Sequence, residues 1–134
     1  NQISGLQDFV PGYADEKDNA AGIRRVYEES GYVMDTHTGV ASSVYHAYRQ
    51  ESGDATPAVI VSTASPYKFA RAVMTAIDPD YDRFEDFDLI RELNRVSGVT
   101  IPNAILEIMD ARICHNTVCE VDDMESVVKS ILEV

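Results

Sequence analysis

A chain of 134 residues, 45% of them apolar, is long enough for one compact domain and too apolar for a disordered one. Its formal net charge of −12 repels phosphate backbones and anionic lipid, which argues against nucleic acid and membrane surfaces as partners. No apolar run approaches the ~20 residues of a transmembrane helix. The start "NQISGLQDF" has neither the basic nor the apolar part of a signal peptide. Cys114 and Cys119 make no disulfide framework and read as free thiols of a cytoplasmic protein. With His115 they resemble half a metal site, but no second ligand pair exists, so no metal is assigned.

Asp18 and Asn19 precede the first helical pattern, Ala20–Ser30, where Ile23, Val26 and Tyr27 share one face and Gly31 is the stop. "GYVMD", ending at Asp35, reads as a brief strand. Asp35 or Thr36 then caps a helix to about Gln50, with Val40, Ala41, Val44, Tyr45, Ala47 and Tyr48 as its buried stripe. After the turn cluster "ESGDATP", the β-branched run Ala58–Ser62 predicts a strand covered on both faces. Ser65 and Pro66 form an N-cap and N1 pair for a helix to Ile77. Phe69, Ala70, Val73, Met74 and Ile77 follow helical spacing within it.

The last third opens with the acidic turns of "DPDYDRFEDFD". A helix from about Glu85 to Val96 presents Leu89, Ile90, Leu93 and Val96, and Ser97-Gly98 ends it. A short helix after Pro102 is expected to bury Ile105, Leu106 and Met109. Asp122 and Glu125 form a capping-box variant for a final helix whose core face is Val127, Val128, Ile131 and Leu132. Thr117–Val121 alternates weakly and is read as extended. The pattern therefore holds many helices and one convincing strand. A lone buried strand leaves its backbone groups unpaired. Its neighbours must be "GYVMD" and the tail, or strands outside this sequence.

Two motifs carry chemical potential. "DTHTGVA", Asp35–Ala41, sits at a helix mouth, where free amides attract anions. Thr36 and Thr38 add hydroxyls and His37 can donate or accept, although capping alone explains Asp and Thr here. Gly39 in the first turn costs about 1 kcal/mol against alanine, which either a close ligand or tight packing would explain. "STASP" places Ser62, Thr63 and Ser65 at the carboxyl end of the predicted strand, where α/β sheets bind ligands; capping by Ser65 is the plainer reading. A Ser-His-Asp hydrolase lacks its G-x-S-x-G elbow, and Lys68 reads as a solvated side chain.

"GYVMDTHTGVASSVYHAY", "VIVSTASPYKFARAV" and "RICHNTVCEVDDMESVV", in this order, resemble the carboxyl-terminal part of bacterial and fungal threonine synthase. The preceding "DFVPGYADEKDNAAGIRRVYEESG" is similar to the family's approach to that region. The most specific pieces are D-x-H-T-x-V-A and S/A-T-A-x-P-x-K-F; Ser65 and Thr36 depart from the family's usual His and Pro.

The resemblance implies a pyridoxal-phosphate enzyme of the tryptophan-synthase-β-like fold. Its expected class is α/β, helix-rich with a small, largely parallel sheet. Residues 1–77 would belong to the cofactor domain and 78–134 to a carboxyl-terminal helical region. The implied substrate is O-phospho-L-homoserine, which loses phosphate from its γ carbon and takes water at its β carbon to give L-threonine. In that fold a Ser or Thr hydroxyl faces the cofactor's pyridine nitrogen, and Thr63 occupies the matching position. Asp35, His37 and Thr38 are the implied substrate contacts.

The family's Schiff-base lysine has no counterpart among Lys17, Lys68 and Lys129, and no glycine-rich phosphate loop is present. The expectation is a segment of a larger enzyme that carries no catalytic residue and does not hold the cofactor alone. An exposed strand edge would let it self-associate. The alternative is a free-standing acidic α/β interaction or anion-binding module.

Overall fold

A computed structural model describes residues 8–133. Residues 1–7, most of the stretch read for a leader, and residue 134 lie outside that range. Six α-helices are found among the described residues: α1 Glu16–Ser30, α2 Thr36–Ser52, α3 Ala70–Ile77, α4 Asp86–Ser97, α5 Asn103–Met109 and α6 Met124–Leu132. Short 3-10 turns precede α3, α4 and α6 at Pro66–Phe69, Pro79–Arg83 and Val121–Asp123.

Most helix ends follow the local chemistry. Asp15, three residues earlier than expected, caps α1 by accepting from the Asp18 amide at 2.8 Å. Asp35 caps α2. Gly31, Gly53 and Gly98 end α1, α2 and α4 with φ of 72°, 69° and 69°, a left-handed turn that glycine adopts without strain. Ser65 caps the turn into α3 as expected, accepting from the Tyr67 amide at 3.3 Å. The capping box expected at Asp122 and Glu125 does not form, since α6 has no side-chain cap bond.

The expected small, largely parallel sheet is not found: the described residues contain no strand. Ala58–Ser62 is neither helical nor laddered, and Val59 and Val61 are 90% and 72% exposed. The β-branched run biases its own dihedrals, but a ladder needs a second strand and no described segment supplies one. "GYVMD" is instead a connector that sends Val33 and Met34 into the core. Thr117–Val121 is exposed and unladdered as well. The described residues are helix-rich with irregular connections rather than α/β.

The main core joins α3 and α4 through Val73, Met74, Leu89, Ile90 and Leu93, and adds Val33, Tyr67 and Ala70. A smaller one joins Ile23, Met34 and Ala76. Arg71 braces this unit by donating to Asp86 Oδ1 at 2.7 Å and to the Phe84 carbonyl at 2.7 Å. The Tyr67 hydroxyl donates to the Val99 carbonyl at 2.5 Å.

Three expected core faces are not closed. On α2 the buried residues are Thr38, Gly39 and Ser42, whereas Val40, Val44, Tyr45 and Tyr48 are half-buried and Ala41 and Ala47 exposed. On α5, Leu106 is 43% exposed. On α6, Val127 is half-buried, but Val128, Ile131 and Leu132 are exposed. Each stripe is apolar at the right period. None of these faces is fully covered by another described element.

The α1–α2 crossing is close because it uses small residues. A methyl group on Gly39 would overlap Asn19 Oδ1 and come within 2.9 Å of Ile23 Cγ1. Packing against α1 therefore accounts for this glycine in the first helical turn. Gly39→Ala is expected to lower stability by about 1–2 kcal/mol, because overpacking a filled contact outweighs the roughly 1 kcal/mol gain in helix propensity. Gly22→Ala would overlap only Ser43 Oγ, which can rotate away, so its cost is expected to be smaller. Thermal melts of the two variants test this; equal midpoints would mean that the crossing has slack.

Candidate functional site

The mouth of α2 brings the two sequence motifs together. Asp35 is 2% exposed. Its Oδ1 accepts from the His37 amide at 2.8 Å and the Thr38 amide at 3.2 Å, and lies 3.2 Å from His37 Nδ1. Its Oδ2 accepts a short hydrogen bond from the Thr38 hydroxyl and a second from the Ser62 hydroxyl at 3.3 Å. The Thr38 and Ser62 oxygens are themselves 3.0 Å apart. The Thr38 hydroxyl has a single hydrogen to donate and donates it to Asp35, so Ser62 can donate to Asp35 or to Thr38.

Burial alone would push the Asp35 carboxyl up. The hydrogen bonds from Thr38, His37 and Ser62 together outweigh it and hold the group below the ordinary carboxylate range. An ionised carboxylate offers about four lone-pair positions, and its neighbours here account for them. Two of the amides that would attract an anion at this helix mouth are already bonded to Asp35.

His37 is the member of the group that opens outward, its side chain 53% exposed. Its ring lies 5.7 Å from that of Phe69. The two flank an open cleft of about 590 Å³ that Asn19, Ile23 and Ala76 also line. Thr63 is exposed, stands one residue beyond Ser62, and is not among the residues lining that cleft.

Of the residues singled out in the sequence, Asp35, His37 and Thr38 thus form one cluster, and Thr63 is attached to it only through its neighbour. The part played by Ser62 was not legible. It stands 27 residues from Asp35, and no local pattern marks a contact at that separation. Phe69, expected in the core, is instead 45% exposed and lies at the cleft.

Lys68 is exposed, with its ammonium 5.4 Å from the Phe69 ring centre, and Lys129 is ion-paired to Glu125 at 2.5 Å. Neither has the apolar enclosure that activates a lysine nucleophile. Cys114 and Cys119 are exposed and unbridged. Among the described residues no helix is long and apolar enough to cross a membrane.

The family model "Threonine synthase, C-terminal" matches residues 38–113, a range that includes Thr38, Ser62 and Thr63. "Threonine synthase-like 1" of Pongo abelii and of Homo sapiens are each 39% identical to the chain over 92 residues. The protein of the same name from Mus musculus is 36% identical over 92 residues. In each case the match covers 69% of this chain and 10% of the relative. The chain spans about a tenth of the length of these curated relatives.

Proposed function

Because the chain belongs to the threonine synthase C-terminal family, we propose that it is the carboxyl-terminal part of a cytoplasmic, pyridoxal-phosphate-dependent enzyme that converts O-phospho-L-homoserine and water to L-threonine and phosphate. The observation that carries the reading is the family match, which begins at Thr38 within the first motif and runs on through Ser62 and Thr63 of the second.

The residues present fit one end of the cofactor. Thr63 offers an exposed hydroxyl directly after a tethered residue, the kind of donor that suits a pyridine nitrogen. Bound pyridoxal phosphate supplies an electron sink for the elimination of phosphate. A neutral hydroxyl leaves that nitrogen less firmly protonated than a carboxylate would. Thr63 therefore sets a moderate sink, and the catalytic lysine and the phosphate-binding groups come from elsewhere in the enzyme.

Of the three substrate-contact candidates, His37 has an exposed ring beside a cleft. Asp35 and Thr38 direct their polar atoms at each other and shape the mouth from within. This occupancy weighs against a free-standing anion site at the same helix.

The test is a set of variants of the complete enzyme. Thr63→Val removes the hydroxyl while nearly conserving shape, and is expected to weaken cofactor binding by about 1–3 kcal/mol. Thr63→Ser restores most of it. Ser65→Ala is expected to lower stability by about 1 kcal/mol through loss of the cap, with cofactor affinity unchanged. Parental affinity in Thr63→Val, with loss in Ser65→Ala, would place the cofactor's partner on the wrong hydroxyl.

A further inference from the structure

We infer that Asp35 is a positioning residue for Thr63, acting through Ser62: the buried carboxylate anchors the carboxyl end of the 58–62 segment and so fixes where the next hydroxyl stands. The inference rests on the reading of Thr63 as the cofactor's partner. It adds the residues that would hold Thr63 in place.

The segment has little else to hold it. Its upstream end is tied at Thr56, whose carbonyl accepts from the Tyr45 hydroxyl at 3.3 Å, and at Asp54, which accepts from the Tyr48 hydroxyl at 2.9 Å. Its downstream end is tied where Ser65 caps the turn into α3 and Tyr67 is buried. Between Thr56 and Ser65, the hydrogen bonds to the rest of the described residues run through Ser62. No ladder assists, and Val59 and Val61 face solvent.

Held only at Thr56 and Ser65, the residues between would have no buried contact or ladder to fix them. Ser62 removes that freedom one residue before Thr63. Its anchor is itself firm, because Asp35 is buried and bonded to two backbone amides of α2. Ser62 Oγ lies 3.3 Å from Asp35 Oδ2 and 3.0 Å from Thr38 Oγ1, so it is tied to the carboxylate directly or through Thr38, which is itself bonded to it. Asp35 also caps α2, so its own removal mixes two effects; Ser62→Ala cuts the tether and leaves the cap bonds in place.

The experiment compares Ser62→Ala, Ser62→Thr, Thr63→Val and the double variant Ser62→Ala/Thr63→Val in the complete enzyme. It reads cofactor affinity, the bound cofactor's absorption spectrum, and the melting midpoint. Ser62→Ala is expected to weaken cofactor binding by about tenfold and to shift the bound cofactor's absorption spectrum. Ser62→Thr should restore both. In the Thr63→Val background, Ser62→Ala should weaken binding no further, as expected of two residues acting through one contact. A lower melting midpoint with parental affinity and spectrum would show that Ser62 is merely structural and would overturn the inference while leaving the Thr63 reading intact. If Thr63→Val also leaves affinity unchanged, the cofactor reading itself fails, and the inference with it.

Discussion

Leu93→Ala is expected to lower the stability of the chain by about 3 kcal/mol, within the 2–5 kcal/mol typical of a truncated core leucine. Leu93 is fully buried with Val73, Met74 and Leu89, so the lost side chain leaves a cavity that neighbours on two helices cannot collapse to fill. For a chain of this size the melting midpoint should fall by roughly 10 °C. The informative contrast is Leu132→Ala on α6, where the side chain is 63% exposed. That change is expected to stay within about 0.5 kcal/mol. Urea titrations of both variants decide the matter. An equal loss in the two would mean that the apolar face of α6 is packed in solution.

Asp35→Ala is expected to cost about as much, by a different route. Loss of the α2 cap contributes about 1 kcal/mol. Loss of a hydrogen bond to a charged group adds about 2 kcal/mol. This deficit should depend on pH. The folded carboxyl is held below its ordinary value, so the unfolded chain binds its proton first as pH falls. The stabilisation is therefore complete above the unfolded value of about 3.9 and disappears as pH drops through the lower folded value. Relative to Asp35→Ala, the parent's advantage should be full at pH 7 and shrink below about pH 4. A difference that stays constant down to pH 2 would show that the network does not depend on an ionised carboxylate. Asp35→Asn should be intermediate, since its amide oxygen can still accept from the α2 amides.

How much of this was legible in the sequence varies by element, and the reason is the range of the interaction that decides each one. α4 was read as Glu85–Val96 and runs Asp86–Ser97, with Leu89, Ile90 and Leu93 buried as expected. Its apolar period, its acidic first turn and the glycine that ends it all act within a few residues. The same holds for Asp35 at the start of α2, Ser65 before α3 and Gly31 after α1. Cap chemistry is local, and at these positions the sequence states it directly; at α1 and α6 the cap read from the sequence does not form.

What the sequence did not state is which face each helix closes and what lies opposite. On α2 the apolar stripe was the obvious candidate for burial. The fold instead buries Thr38, Gly39 and Ser42, because Gly22 and Gly39 let α1 approach that side more closely than larger residues would permit. Ala58–Ser62 carries strand propensity, yet a ladder is made by two segments, and propensity in one cannot create the other. The bond between Ser62 and Asp35 follows the same logic across 27 residues. By itself the sequence determined the cap of α2, the extent of α4, the glycine stops of α1 and α4 and which family's motifs the chain carries. Only the tertiary structure decided that the two motifs share one buried carboxylate, because that contact depends on how the chain returns past the mouth of α2, and no local energy term records the path.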